Sequence, residues 1–332
     1  MQKKGIHLYS GGLDSLLSAK LLLDQGIELI GLHFILPFYA PDYDPSQTAA
    51  AQHARDIGLN LRYIRCAEEY MKMAVNPPHG FGKQMNPCID CHIFFLKKAA
   101  EIMEQELAAF ISTGEVVGQR PMSQMKNTLN HIIHETELEG KLLRPLSAKL
   151  LAETDAEKAG IVDRNLLLDI NGRGRDRQME LASAWGITDY AAPAGGCLFT
   201  DPHIARRIKD LYEHHPDFSL MDMHLLSVGR HFRLNANAKF IIPRREEETR
   251  ELEKYKDDAD LYMYSDFPGP SVFVRGTVND DDIKLLASLI ARYGKPEKDP
   301  SLGIFVRRKG GLQYTIPCPP PADESKIETM RL

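Results

Sequence analysis

Apolar residues in the first third of the chain gather in short runs separated by polar, helix-length stretches. Gly5-Ile6-His7-Leu8-Tyr9, Leu29 to Ile35, Leu61 to Cys66 and Phe110-Ile111-Ser112-Thr113-Gly114 read as buried strands. Between them, Leu13 to Gln25, Ser46 to Ile57 and Lys97 to Glu106 read as helices. Parallel neighbours can be joined only by a crossover, so this alternation predicts an α/β fold with a doubly wound parallel sheet. Ligands of such sheets bind beyond the carboxyl ends of the strands, where Ser10 and Gly114 fall.

The pattern changes twice further on. Residues from about 146 to 225 read as mostly helical, broken by Asn171-Gly172-Arg173-Gly174-Arg175-Asp176-Arg177 and by a turn at Gly195-Gly196 before Cys197. From about Leu226, short strands take over: Phe240-Ile241-Ile242, Leu261 to Tyr264 and Ser271 to Arg275. A helix from Asp280 to Tyr293 follows, then a hairpin turning at Gly310-Gly311. The expected organisation is therefore a first domain over 1–225, with a helical extension from about 146, and a small α+β domain over 226–320. The Pro-rich, charged tail at 321–332 is expected to fray.

Composition narrows the class. A chain of 332 residues, 43% hydrophobic and 26% charged, can bury two cores. It has no apolar run of transmembrane length and no signal-peptide pattern, so a soluble cytoplasmic protein is expected. A net charge of −5 gives no global sign of nucleic-acid binding. Five cysteines are too few and too unevenly placed for a disulfide framework; close pairs in such a chain suggest metal or redox chemistry.

The strongest chemical signal is Ser10-Gly11-Gly12-Leu13-Asp14-Ser15, between the first strand and the first helix. Two glycines allow a sharp turn and close backbone approach, and the helix N-terminus offers free N–H groups to an anion. This cradle suits a phosphate or pyrophosphate, yet it lacks the lysine of a Walker loop and the spacing of a dinucleotide loop. It resembles the signature of the PP-loop ATP pyrophosphatases. The resemblance implies an ATP site at Ser10, Gly11, Gly12, Asp14 and Ser15, with Gly114 at the neighbouring strand end. ATP would be split to AMP and pyrophosphate with Mg2+, for which Asp14 is the candidate ligand or water-shell partner. Taken alone, Asp14 reads equally as a helix N-terminal charge.

Asn86-Pro87-Cys88-Ile89-Asp90-Cys91-His92 is the second signal. Its residues leave several readings open. C-x-x-C-H is the attachment pattern of c-type haem, but the chain shows no export signal. Zinc could be held if His92 and Cys197 completed a set of four. Two inert buried thiols are the plainest alternative. In the order Asn-Pro-Cys-x-x-Cys after a PP-loop start, the segment is similar to the tRNA thiolation branch of the family. Ser112-Thr113-Gly114-Glu115, Leu143-Arg144-Pro145-Leu146 and Gly195-Gly196-Cys197 extend the resemblance over about 1–205. It implies Cys88 and Cys197 as the sulfur-chemistry pair and Asp14 at the ATP chemistry. It also implies Cys88, Cys91 and Cys197 as ligands of a 4Fe–4S cluster, with a metal-free persulfide on the cysteine pair as the alternative. Arg144 either balances phosphate charge or makes a surface ion pair. Cys66 and Cys318 sit in no motif and read as inert apolar residues.

Such chemistry needs a grip on tRNA, so positive charge must be local. The clusters are Arg173, Arg175 and Arg177; Arg206, Arg207 and Lys209; and a C-terminal set including Arg230, Arg233, Arg244, Arg245, Arg307, Arg308 and Lys309. Residues 259–275, with their Pro268-Gly269-Pro270-Ser271 turn, are similar to the RNA-binding domain of NFACT proteins. The function the resemblance implies is ATP-dependent tRNA thiolation: adenylation of a base carbonyl oxygen, that of uridine by the family likeness, then sulfur transfer displacing AMP. The expected partners are tRNA and a sulfur donor, either a carrier protein or free sulfide, without a membrane; a homodimer is compatible with this reading. Two rivals stand beside it: a PP-loop enzyme adenylating a small molecule, and a non-catalytic RNA-binding or metal-sensing protein.

Overall fold

The computed structural model describes residues 3–190, 197–295, 303–323 and 327–332. The chain forms two compact units, Met1–Asp201 and Pro202–Leu332.

The first unit contains β1 (Lys4–Leu8), α1 (Leu13–Leu23), β2 (Glu28–Ile35), α2 (Ala49–Asp56), β3 (Asn60–Arg65), α3 (Glu68–Val75) and α4 (Cys88–Gln105). It continues with β4 (Phe110–Thr113), α5 (Lys126–Glu135), β5 (Leu142–Leu143), α6 (Asp155–Lys158) and α7 (Asp176–Ala184). The strands form one sheet in the order β3-β2-β1-β4-β5, parallel throughout. Successive strand residues face opposite sides, and both sides are buried. Phe110 and Leu143 pack with Leu16, Ala19 and Leu22 of α1. Their neighbours Ile111 and Leu142 pack with Ile93, Leu96 and Ala99 of α4 and Ile132 of α5. The chain steps outward from β1 to β3, then returns to the other side of β1 as β4. The switch point therefore lies between β1 and β4, where Leu8 pairs with Thr113.

Two sequence expectations are corrected here. The helix expected from Lys97 begins at Cys88 instead, so both cysteines of the C-x-x-C pair sit on its first turn. Buried Ile93, Leu96, Ala99, Ile102 and Met103 recur at helical spacing and carry the helix back across the motif. Residues from 146 to 175 are mostly turns, not helix. Side-chain bonds hold them: the Ser147 hydroxyl donates to the Ile170 carbonyl (2.6 Å), and Arg164 donates to the carbonyls of Ala148 and Leu151 (2.8 and 2.9 Å).

The second unit contains α8 (Pro202–His214), α9 (Leu220–Leu225), β6 (Arg230–Asn235), β7 (Ala238–Ile242), α10 (Glu246–Lys254), β8 (Leu261–Ser265), β9 (Val272–Gly276), α11 (Asp280–Tyr293), β10 (Gly303–Arg308) and β11 (Gln313–Pro317). Its strands form an antiparallel sheet in the order β11-β10-β8-β9-β7-β6. Ile283, Leu286, Leu289 and Ile290 of α11 pack on one face with Phe240, Met263 and Val272. Leu225 of α9 and Leu252 of α10 pack on the other with Ile241, Tyr262 and Phe273.

The division falls at 201/202, whereas composition changes at about 226. The reason is that α8 bonds forward: Arg207 donates to the Leu226 carbonyl (2.7 Å), and Arg233 pairs with Asp210 (2.5 Å). The described end of the tail, 327–332, is tied down. Ile327 is buried in the core, the Arg233 amide donates to Met330, and the Leu332 amide donates to His231. Apolar residues within a charged tail found a core edge that composition does not reveal. No helix among the described residues is long and apolar enough to cross a membrane.

Candidate active site

The turn between β1 and α1 is built as a cradle. Gly11 holds φ at +82°, where a side chain would be strained. The Ser15 hydroxyl donates to the Gly12 carbonyl (2.8 Å), and the Ser10 hydroxyl to Ser15 Oγ (3.2 Å). Across the switch point, Gly114 lies against this turn so closely that a Cβ there would stand 2.5 Å from the Ser15 nitrogen. Only glycine lets the end of β4 approach the start of α1. The Gln119 side chain donates to Asp14 Oδ2 (3.0 Å), while buried Asp14 Oδ1 has no hydrogen-bond partner among the described residues. An orphaned carboxylate oxygen beside an anion cradle fits a hard cation such as Mg2+.

His7 supports the cradle from below. Its Nε2–H donates to the Ser15 carbonyl (2.9 Å), which leaves Nδ1 to accept from the Ser112 hydroxyl (2.9 Å). Burial lowers its pKa to about 4 against an ordinary value of 6.5, and the Ser15 bond only partly opposes this. Between those two values the unfolded chain binds the extra proton and the folded chain does not, so stability falls as pH drops from about 6.5 toward 4. The expected loss reaches on the order of 3 kcal/mol near the lower end. Urea denaturation of wild type and His7→Gln across this range checks it. An equally steep acid loss in the variant would assign the effect to other groups.

Arg144 is not a surface ion pair. It is only 1% exposed, and its Nε donates to Glu115 Oε2 (2.8 Å). Its Nη1 and Nη2 are buried with no partner among the described residues. Burial alone would raise the Glu115 pKa; the charges of Arg144 and His92 outweigh it and hold the carboxyl well below the usual range. Glu115 also accepts from Thr113 Oγ1 (3.0 Å) and meets His92 Nδ1 (2.7 Å). One carboxylate thus joins the end of β4, the Arg144 guanidinium and the first turns of α4.

Cys88 and Cys91 each have a side-chain partner. Asn86 Nδ2 donates to Cys88 Sγ (3.1 Å), and the Tyr70 hydroxyl meets Cys91 Sγ (3.0 Å). Tyr70 is fully buried and packs against Phe199 (ring centroids 6.4 Å), two residues after Cys197. Cys197 lies within electrostatic reach of both Cys88 and Cys91. Burial pushes the Cys91 thiol up, and crowding around the otherwise exposed Cys197 does the same, with Cys88 adding to it. The Gly195-Gly196 turn lies outside the described residues. The donor set is three sulfurs with a side-chain hydrogen bond on two of them, which suits a thiolate-ligated cluster. The zinc reading through His92 finds no compact ligand set among the described residues, and His92 Nδ1 meets Glu115. Among the described residues, the group compact enough for a single ion is His79, His131 and Glu135. Cys66 is buried, its thiol pushed up to about 12 by burial. Cys318 packs at the edge of the second unit's core.

Tyr70, Asn86, Glu115 and Gln119 escaped the sequence reading. Asn86 and Glu115 stand inside the quoted motifs; nothing local marks Tyr70 or Gln119. Of the basic residues, Arg173, Arg177, Arg206, Arg244 and Arg245 are exposed, and Arg175, Arg307 and Arg308 are half-buried. Arg177 pairs with Asp169, Arg307 with Asp257 and Arg308 with Asp280. Arg207 and Arg233, offered among the clusters for gripping tRNA, are instead bonded within the second unit.

Residues 1–152 match the family described as thiamine biosynthesis protein (ThiI). Residues 229–330 match the NFACT protein RNA binding domain. A probable tRNA sulfurtransferase of Methanosarcina mazei is 29% identical over 126 residues, covering 36% of this chain and 29% of that protein. A tRNA-specific 2-thiouridylase MnmA of Syntrophotalea carbinolica is 31% identical over 105 residues, covering 29% of this chain and 30% of that protein. The chain thus spans about a third of the length of these curated relatives. Among solved structures, the U34-tRNA thiolase NcsA from Methanococcus maripaludis, with its 4Fe–4S cluster, aligns at 15% identity and a TM-score of 0.32, covering 67% of this chain and 69% of that one.

Proposed function

We propose that this chain, a ThiI-type PP-loop domain joined to an NFACT RNA-binding domain, is an ATP-dependent tRNA sulfurtransferase. The observation that supports the reading is a run of contacts between the two candidate sites: Gly114 lies against the Ser10–Ser15 cradle, and the next residue, Glu115, meets His92, which follows Cys91 in the chain.

The cradle's backbone and Ser10 and Ser15 hold the pyrophosphate portion of ATP. Asp14 holds magnesium or its water shell, and the unpaired nitrogens of Arg144 face phosphate charge. The target base leaves its stack to reach the site, and its carbonyl oxygen attacks the α-phosphorus. An adenylated base forms and pyrophosphate leaves. Sulfur then adds to the activated ring carbon, and AMP departs with the former carbonyl oxygen. Cys88, Cys91 and Cys197 would hold a 4Fe–4S cluster, which when bound supplies an iron free of protein ligands for a sulfur donor. Asn86 and Tyr70 orient two of the sulfurs. The alternative persulfide chemistry would use Cys88 and Cys197 without metal.

The test is anaerobic incubation of the full chain with ATP, Mg2+, sulfide and unmodified tRNA. AMP, pyrophosphate and a thionucleoside are expected in equal amounts, read by nucleoside mass spectrometry. AMP formation indifferent to tRNA would favour the small-molecule rival, and no ATP turnover would favour the non-catalytic one. Iron-free protein that thiolates only after Cys197 has been charged as a persulfide by a sulfane-sulfur donor, and that ends with a Cys88–Cys197 disulfide as the outer sulfur is released to the base, would move the chemistry to the cysteine pair.

The second unit grips tRNA through shape and charge. Arg244 and Arg245 are exposed, whereas Arg307 and Arg308 are already paired with acids. Arg244→Ala/Arg245→Ala should therefore weaken tRNA binding more than Arg307→Ala/Arg308→Ala. Its log–log salt slope should become shallower by about 2. An unchanged slope in both double variants would shift the grip to Arg173, Arg175 and Arg177.

A further inference from the structure

A second cluster of ligating side chains lies outside this chemistry. His131 and Glu135 stand one helical turn apart on α5, so they share a face. His79, in the loop before α4, brings its Nε2 to 2.8 Å from His131 Nε2. One ligating atom from each of the three residues lies within 4.8 Å of the others. The orientation of His79 is set from behind. Its Nδ1 meets Asp90 Oδ1 (2.8 Å), and its backbone amide donates to Asp90 Oδ2 (3.2 Å). Asp90 is 4% exposed and stands between Cys88 and Cys91 on the first turn of α4.

A carboxylate accepts hydrogen bonds, so Nδ1 carries the His79 proton and Nε2 presents a lone pair toward His131. Two imidazole nitrogens this close need a positive charge or a shared proton between them. The adjacent Glu135 carboxylate favours a cation. A buried acid bonded to the far nitrogen of a histidine is the usual support behind a metal-ligating imidazole. Two imidazoles and one carboxylate suit zinc and its neighbours in the transition series.

We propose that His79, His131 and Glu135 bind a divalent zinc-class ion, with Asp90 as the orienting group and a remaining coordination position open to water. The ion ties the loop before Cys88 to α5 and steadies the turn from which Cys88 and Cys91 project. The site does not depend on the thiolation reading, and its test uses no tRNA, ATP or turnover.

The probe is Co2+ alone, titrated into the full chain and into the Cys88→Ser/Cys91→Ser/Cys197→Ser chain, and read by visible absorption. One equivalent should give a d–d spectrum that persists in the cysteine-free chain without a thiolate-to-cobalt charge-transfer band, and Zn2+ should displace it. His131→Ala and Glu135→Gln, both at exposed positions, should each weaken Co2+ binding at least ~10-fold, and Asp90→Asn by about 10- to 100-fold. If the triple variant does not fold, the same d–d band is followed in the wild-type chain, where the His131 and Glu135 variants must still remove it. A Co2+ spectrum unchanged by both variants, or its absence, overturns the proposal.

Discussion

Gly114→Ala is expected to reduce ATP turnover by at least ~100-fold. The added carbon would stand 2.5 Å from the Ser15 nitrogen, 2.6 Å from its Cα and 2.7 Å from the Asp14 carbonyl carbon. All three are backbone atoms, so no rotamer change relieves the contact. Either the end of β4 or the start of α1 must move, and both form the cradle. The displacement also strains the His7 bond to the Ser15 carbonyl. AMP formation and ATP affinity should fall together, because the change acts on the cradle proposed to hold the phosphates. Steady-state AMP release and isothermal titration with ATP check this, with circular dichroism to show that the sheet persists. Turnover within twofold of wild type would mean that the two loops separate without consequence for ATP.

Breaking the Glu115–Arg144 pair is the second large effect. Arg144 is 1% and Glu115 5% exposed, joined by a 2.8 Å bond. Glu115→Gln leaves a buried guanidinium without its counter-charge, at a cost of about 3–5 kcal/mol. In a chain of this size that lowers Tm by roughly 10 °C. Arg144→Met leaves the Glu115 carboxylate with His92 as its remaining cationic neighbour and should cost a similar amount. The double variant Glu115→Gln/Arg144→Met should cost less than the two singles added, because neither side is left as an unmatched charge. Urea denaturation of all four proteins gives the coupling directly. Strict additivity would mean that the two groups are stabilised independently.

These two predictions rest on different kinds of information. Gly114 was visible in the sequence as a strand-end glycine, because small residues at a turn mark close approach whatever lies opposite. The Ser10–Ser15 cradle was equally visible, since every residue it needs is contiguous and its geometry follows from one strand-to-helix junction. The alternation of β1 to β4 with helices was legible for the same reason: periodicity is a local property, and parallel strands require crossovers. The C-x-x-C pair was legible as chemistry but not as structure. Its residues are polar and proline-flanked, and they obscured the helical spacing that starts α4 at Cys88.

What the sequence by itself determined about this protein is therefore its contiguous features: the glycine-serine turn after the first strand, the paired cysteines and the alternation of strands and helices in the first unit. The tertiary structure decided everything that depends on residues far apart in the chain. Tyr70 reaches Cys91 and packs on Phe199 because α3 packs against α4. Arg144 reads as either a partner of phosphate or a surface ion pair until the end of β5 places it, buried, beside Glu115 after β4. The tail reads as frayed until Ile327 enters a core whose other members begin at Phe232. His79, Asp90, His131 and Glu135 form no motif at all, yet the loop, α4 and α5 bond His79 to Asp90 and His131 and bring Glu135 within 4.8 Å of both histidines. Side-chain identity and local spacing are written along the chain; burial and pairing across about 30 to 100 residues arise only when the sheet closes the loops between them.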